Sequence, residues 1–343
     1  MNNQLRIFKI KLLNWEYWPM GIVYFPLSVY YLFLSLKAKS FFFFNATNPG
    51  LENGGMFFES KAKIYDSLPV DVTPTTLLCQ KTESIEDVAK KITYAGLKYP
   101  IIAKPDRGER GWKVEKITSI TDLNSYIKRA PSTFLIQPYI DLSEEYSVFY
   151  IRHPKSKTGV ITSLTFKNYL SVVGDGISTI DQLIDRHDRS FLKKEQLLQL
   201  LGDSTVRVLA AGEKVTLVPF GNHVRGAEFI NFNHKISEKL RVSFEEVSKK
   251  LEGFYYGRFD VKANSFEDLE AGSFQIIELN GTGAEPSHIY NPGYNFFKAQ
   301  KDIFSHYKQM CAIAIQNRTQ GATFMTLATY RDLKKQEKLY KQC

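Results

Sequence analysis

From Met20 to Leu36 the chain runs for 17 residues without a charge, MGIVYFPLSVYYLFLSL, then places Lys37 and Lys39 before four phenylalanines, Phe41 to Phe44. A spanning helix needs about 20 apolar residues, and Pro26 sits inside this run. Trp15, Tyr17 and Trp18 precede it as interfacial aromatics do. Three readings stay open: a buried helix and strand of a small N-terminal lobe, a segment in contact with a membrane surface, or a span. A signal peptide fits poorly, because the apolar run starts late and no small-x-small cleavage site follows.

Beyond Phe44 the pattern becomes regular. NATNPGLENGG, Asn45 to Gly55, is a turn-rich loop. MFFESKAKIYDSLP predicts a helix stopped at Pro69, and TPTTLLCQ a short strand. A helix follows over Ser84 to Gly96, with Ser84 as its N-cap. YPIIAKP, Tyr99 to Pro105, reads as a strand ending in lysine, followed by the glycine-containing loop DRGERGW. ITDLNSYIKRA is helical, and TFLIQPYI and EEYSVFYIR are strands. A strand-rich stretch carries the turn VVGDGIST, Val172 to Thr179, before a charged helical stretch from Ile180 to about Leu201. Strands return at EKVTLVPF and in the hairpin YYGRFDVKA…GSFQIIELN, whose arms are joined by a polar turn, and the chain closes on helices. This order predicts an α+β protein of two lobes around a cleft.

The hairpin carries the first chemistry. In FQIIELNGTG, Phe274 to Gly283, Glu278 and Asn280 stand two apart on a strand and aim their oxygens at one spot. A buried carboxylate needs a receiver. Lysine, arginine or backbone donors can supply it, and so can a hard cation such as Mg²⁺. Asp260 lies on the paired strand, with Arg258 sharing its facing. Lys104 ends an apolar strand before the loop containing Gly108 and Gly111, a placement that suits phosphate oxygens as well as plain solvation. Further on, LIQPYIDLSEEYSV sets Gln137 and the acids Glu144 and Glu145 around a short connector.

Composition narrows the partners. With 343 residues, 24% charged and 43% hydrophobic, the chain is an ordered globular protein with room for two or three lobes. Its net charge of +9 suits a nucleotide, an acidic substrate or a lipid surface. The lysines and arginines are scattered and no nucleic-acid-binding signature accompanies them. Three cysteines, Cys79, Cys311 and Cys343, lack metal-ligand spacing and point to a reducing compartment. The six histidines form no zinc-type pair.

Taken in order, these residues resemble the ATP-grasp superfamily over Ser60 to Tyr307. The segment GRFDV…FQIIELNGTGAEPSHIYNP is similar to that of D-alanine–D-alanine ligases, with Gly-Arg-x-Asp, a Glu-x-Asn strand and a following Ser-His. VVGDGISTIDQLID and AGEKVTLVPFGNHVRGAEFIN resemble segments of cyanophycin synthetases. The resemblance implies an ATP-grasp fold: a short atypical aromatic segment over 1–59, an ATP-grasp domain over 60–315 with lobes 60–145 and 146–315, and a helical tail over 316–343. It implies ATP and Mg²⁺ (or Mn²⁺) as cofactors. Lys104 is then the phosphate-binding lysine and Lys167 a second basic phosphate contact. Gln137, Pro138, Tyr139 and Ile140 form the adenine hinge, and Glu145 is the ribose carboxylate. Asp260, Glu278 and Asn280 become the metal ligands, and Arg258 stabilises the acyl-phosphate and tetrahedral intermediate. Asn222 and Arg225 are further substrate or phosphate contacts.

Departures limit the transfer. Ile289 stands where the D-alanine ligases place a serine for the substrate carboxylate, and Gln137 begins the hinge where they often have an acid. The activity implied is an ATP-dependent carboxylate–amine (or thiol) ligase acting on small molecules and releasing ADP and phosphate. The alternatives are an ATP-grasp phosphotransferase and a non-catalytic nucleotide-binding protein, the latter disfavoured by Arg258 and the three metal-type residues. The location implied is the cytoplasm, with the N-terminal segment able to touch the inner membrane face, and no nucleic-acid partner is expected.

Overall fold

The computed structural model describes residues 3–109, 111–219, 221, 223 and 226–342. Two antiparallel sheets organise it, giving the expected α+β class and two lobes. The first has the order β1 (Leu77–Gln80), β4 (Thr133–Pro138), β2 (Ile101–Pro105), β3 (Glu115–Ile117). Helices Ile85–Tyr94 and Ile120–Arg129 lay Val88, Ile92, Leu123 and Tyr126 against Cys79, Ala103, Phe134 and Ile136. Both helices begin where a serine hydroxyl accepts an orphan backbone N–H, Ser84 from Asp87 and Ser119 from Asp122.

The second sheet has the order β11 (Gln275–Asn280), β10 (Tyr256–Ala263), β5 (Glu144–Ile151), β6 (Val160–Asn168), β9 (Glu228–Asn231). A two-stranded ribbon, β7 (Ser171–Val173) with β8 (Lys214–Thr216), stands apart from it. Alternation along the strands separates two faces. Tyr146, Val148, Leu164, Phe259 and Val261 are buried with Leu240, Phe244 and Val247 of helix Glu238–Lys250. On the other face, Phe149, Ile151 and Tyr256 are buried with Phe43, Phe44 and Met310, while Arg258, Asp260, Ser147, Thr165 and Lys167 give it a polar part.

The N-terminal segment forms helix Asn3–Leu13, a turn at Trp15–Tyr17 and helix Met20–Ala38. Helix Phe296–Thr319 covers one side of it: Leu34 and Ala38 are buried with Met310 and Cys311, and Val23 and Leu27 with Ala299 and Ile303. This corrects the reading of Trp15 as an interfacial aromatic. Trp15 is buried against Tyr290 and Phe296 and donates to the Tyr294 carbonyl at 2.7 Å, and Trp18 packs on Phe296.

Three local expectations also change. The helix expected over MFFESKAKIYDSLP forms only at Lys61–Ser67, capped by Ser60, because Phe57 and Phe58 turn away to pack on Tyr330 and Tyr340 of helix Leu327–Gln342. The helical stretch after Ile180 is three pieces, Ile180–Arg186, Asp188–Phe191 and Lys194–Leu201. The polar turn between β10 and β11 holds a short helix, Phe266–Glu270, and a bulge falls between Asp260 and Val261. The loop at 45–55 is packed against the hairpin: a Cβ on Gly55, whose φ is +70°, would lie 2.7 Å from the Gly281 Cα.

Candidate active site

In the β10–β11 pair Arg258 stands opposite Asn280 and Asp260 opposite Glu278, so all four share one face. β5 adds Ser147 beside Asp260, and β6 adds Thr165 beside Ser147. Asp260 is buried in a ring of donors. Arg258 Nε and Nη2 reach its two oxygens at 3.0 and 3.1 Å, Ser147 Oγ donates at 2.5 Å, and Lys167 Nζ lies 3.3 Å away. Lys167 continues to Glu145 Oε1 at 2.8 Å, and Tyr169 donates to the other Glu145 oxygen at 2.8 Å.

Desolvation opposes the charges of Asp260, Lys167 and Arg258, and their partners outweigh it. The Asp260 carboxyl is pushed up by desolvation, yet Arg258 and Lys167 bring it down to about 2. Lys167 and Arg258 are likewise disfavoured by burial but held above their ordinary values, Lys167 by Asp260 and Glu145, Arg258 chiefly by Asp260. Two cations and two carboxylates thus form a buried neutral unit.

Glu278 is different. It makes no hydrogen bond or ion pair among the described residues, and the buried Nδ2 of Asn280 is without a partner. Across from them Lys104 donates to Tyr65 Oη at 2.7 Å and to the Ile277 carbonyl at 3.2 Å. Desolvation lowers its ammonium to about 8, against the pull of Glu278. Lys104 and Glu278 are therefore the charges of this site that the protein leaves least compensated.

The expected residues divide on this geometry. Arg258, Lys167, Asp260, Glu278, Asn280 and Lys104 come together. Glu145 joins them, but as the buried partner of Lys167 and Tyr169; a ribose hydroxyl would have to share oxygens that already accept these bonds. Gln137 is buried and donates to Thr76 Oγ1 at 2.6 Å. Pro138, Tyr139 and Ile140 continue past it half-buried. Lys262 Nζ donates to the carbonyls of Ile140 and Leu142 at 3.0 and 3.3 Å, and Lys116 lies 3.8 Å over the Tyr139 ring. Asn222 and Arg225 lie outside the described residues. Ile289 is buried with Val23 and Leu27, so the position of the ligases' serine is core in this chain.

Sequence reasoning passed over Ser147, Tyr65 and Tyr169, whose partners lie on other strands. It also missed Glu285. That carboxylate accepts from Tyr24 and Tyr290 at 2.6 and 2.8 Å, and its carbonyl accepts from Arg258 Nη1 at 3.3 Å. Tyr24 belongs to the N-terminal helix, so this apolar segment reaches the edge of the site.

The residues fit a hard cation. Glu278 and Asn280 offer oxygen donors, and Asp260 can share one of the oxygens now held by its cations. No group of three or more His, Cys, Asp or Glu among the described residues could hold a metal by itself. A cation here would complete its shell from phosphate oxygens and water, as Mg²⁺ does in nucleotide sites.

No family model matches the sequence, and no curated protein matches it. Among solved structures, the D-alanine–D-alanine ligase from Bacillus anthracis matches at 14% identity and a TM-score of 0.43, over 77% of this chain and 69% of that one. The VanG D-Ala:D-Ser ligase from Enterococcus faecalis matches at 13% identity and 0.42, over 77% and 61%. A bifunctional glutathione synthetase from Pasteurella multocida gives 14% and 0.37, over 74% and 38%. This chain therefore spans 61% of the length of the D-Ala:D-Ser ligase. Identities and TM-scores at this level do not say what the chain acts on.

Proposed function

We propose that this chain is an ATP-grasp ligase that joins a small carboxylic acid to an amine or thiol through an acyl-phosphate. One observation carries the reading. A neutral, largely buried unit, Arg258–Asp260–Lys167–Glu145, stands beside Asn280 and the Glu278 carboxylate, which takes no hydrogen bond among the described residues, with Lys104 facing them from the other lobe.

In this reading Lys104 binds the nucleotide's phosphates, and its lowered pKa leaves it ready to gain charge stabilisation when they arrive. Glu278 and Asn280, with Asp260 sharing an oxygen, hold Mg²⁺ (or Mn²⁺), which when bound neutralises charge on the phosphates. Arg258 is kept charged and oriented by its two-point contact with Asp260, so its remaining N–H groups can meet the oxyanion that develops on the acyl carbon. Lys167 supplies positive charge beside the same centre, with Glu145 and Tyr169 fixing its position. The backbone at Gln137 to Ile140 takes the adenine, and Asn222 and Arg225 remain contacts to phosphate or substrate.

A hydroxamate assay tests this. With ATP, Mg²⁺, hydroxylamine and a panel of small carboxylic acids, a ligase converts its acid to a hydroxamate with stoichiometric ADP. ADP formation with a stable phosphorylated product and no hydroxamate would identify a phosphotransferase. Absence of ADP with every acid, alongside nucleotide binding in a calorimeter, would leave a binding protein.

A further inference from the structure

Helix Met20–Ala38 has two apolar faces, and only one of them is covered. The inner face, with Val23, Leu27 and Leu34, is buried against the body. On the outer face Ile22, Phe25, Val29, Leu32, Phe33 and Leu36 are between 56% and 79% exposed. Their spacing of three and four places them in one stripe, about 21 Å long at the rise of an α-helix. Helix Asn3–Leu13 adds exposed Phe8, Leu12 and Leu13. A stripe of this kind without a charge is unusual on a soluble surface and marks an interaction site.

We propose that this stripe docks on the surface of an anionic phospholipid bilayer, with the helix lying in the membrane plane. Charge selects the lipid. Residues 1–51 carry Arg6, Lys9, Lys11, Lys37 and Lys39 but one acid, Glu16; Arg6 is paired with Asp188 at 2.8 Å, which leaves the four lysines. That acid is half-buried and paired with Arg189 at 2.8 Å and His223 at 2.6 Å. The polar groups flanking the stripe are therefore cationic, which complements anionic headgroups and supports apolar insertion. A second copy of the chain would bring the same cationic flanks with no acid to pair them. Spanning is disfavoured because the inner face would have to leave Ala299, Ile303 and Met310. The same helix donates Tyr24 to Glu285 next to Arg258, so docking sets the cleft close to the bilayer.

The test is sedimentation of the full-length protein with vesicles of phosphatidylcholine alone and of equal parts phosphatidylcholine and phosphatidylglycerol. Binding is expected to the anionic vesicles, and to weaken by about tenfold or more in Phe25→Ser/Leu32→Ser/Phe33→Ser, which removes mainly exposed apolar area, with the Phe33 stack on Tyr30. Circular dichroism and thermal melting report whether that variant is folded. If it is not, Lys37→Glu/Lys39→Glu, which alters two exposed groups, is expected to weaken anionic binding in the same assay. Binding unaffected by either folded variant overturns the proposal. So does a failure of the wild type to bind, whether it is monomeric or forms a dimer in the ultracentrifuge that the apolar variant dissolves. None of these outcomes depends on turnover, so the proposal stands or falls separately from the ligase reading.

Discussion

The sheet of the second lobe and the N-terminal helix each show one face to the body and one away from it, but with opposite chemistry. The sheet covers Phe259, Val261 and Leu164 and turns Arg258, Asp260, Lys167 and Glu278 toward the first lobe. The helix covers Val23 and Leu34 and turns Phe25 and Phe33 outward. The polar face is largely shielded from water, and its internal ion pairs satisfy most of its charges. An apolar face of the same size loses free energy to water continuously, at roughly 25 cal/mol per Å². The sheet's outward face is thus closed by its own ion pairs, whereas the helix's outward face lacks a cover.

The comparison breaks most decisively at Glu278. Glu278→Gln keeps the shape and removes a charge that makes no hydrogen bond or ion pair among the described residues. ADP formation, measured with an acid that yields hydroxamate, is expected to fall by about 10³-fold or more, about 4 kcal/mol of barrier. The melting temperature should barely move, because the native fold makes no bond to that carboxylate among the described residues. Unchanged ADP formation by a folded variant would sink the assignment of Glu278 to the metal.

Next in size is the contrast between the helix faces. Leu34 is 2% exposed in the core with Phe43 and Met310, so Leu34→Ala is expected to cost about 2–5 kcal/mol in urea denaturation. Its sequence neighbour Phe33 is 61% exposed, and Phe33→Ala should stay within about 0.5 kcal/mol. Equal costs would mean that the helix is embedded on both sides in the soluble protein.

The same contrast explains what could be read beforehand. The sheet's alternation is local, so the strands, the serine cap at Ser84, and the shared facing of Arg258, Asp260, Glu278 and Asn280 all followed from the sequence. The Met20–Leu36 run is apolar around its whole circumference, and periodicity cannot say which side the body takes. Trp15 went the wrong way for the same reason: its partners, Tyr290 and Phe296, are remote in sequence. Phe57 and Phe58 left their helix for Tyr330 and Tyr340, and Glu285 found Tyr24 across 261 residues. Each miss is a tertiary contact that no local pattern carries.

Within the polar face, Arg258→Lys sharpens the distinction between holding and reacting. Arginine grips both Asp260 oxygens and keeps donors free, whereas a lysine is a point charge that cannot do both. Turnover is expected to fall about 10²-fold, while nucleotide affinity measured by calorimetry changes by less than about threefold. If affinity falls as far as turnover, Arg258 binds ground-state phosphate and its transition-state role is wrong.

The smallest effect is a pH dependence at Lys104. Burial lowers its ammonium to about 8 from the ordinary lysine value, so between those two limits the unfolded chain binds more protons than the folded one. Stability from this group therefore rises with pH across that window, and below about pH 8 the full cost of a buried charge is present. Nucleotide binding runs the other way. Phosphate favours the charged lysine, so affinity is highest below pH 8 and falls as the free protein loses the proton. From pH 7 to pH 9 the loss is expected to be about tenfold, with proton uptake on binding near the upper end. Calorimetric titration with ATP and Mg²⁺ in buffers of different ionisation enthalpy measures both. Lys104→Arg, which cannot deprotonate in this range, should flatten the profile. A profile equally steep in that variant would place the titrating group elsewhere and remove Lys104 from the phosphate site.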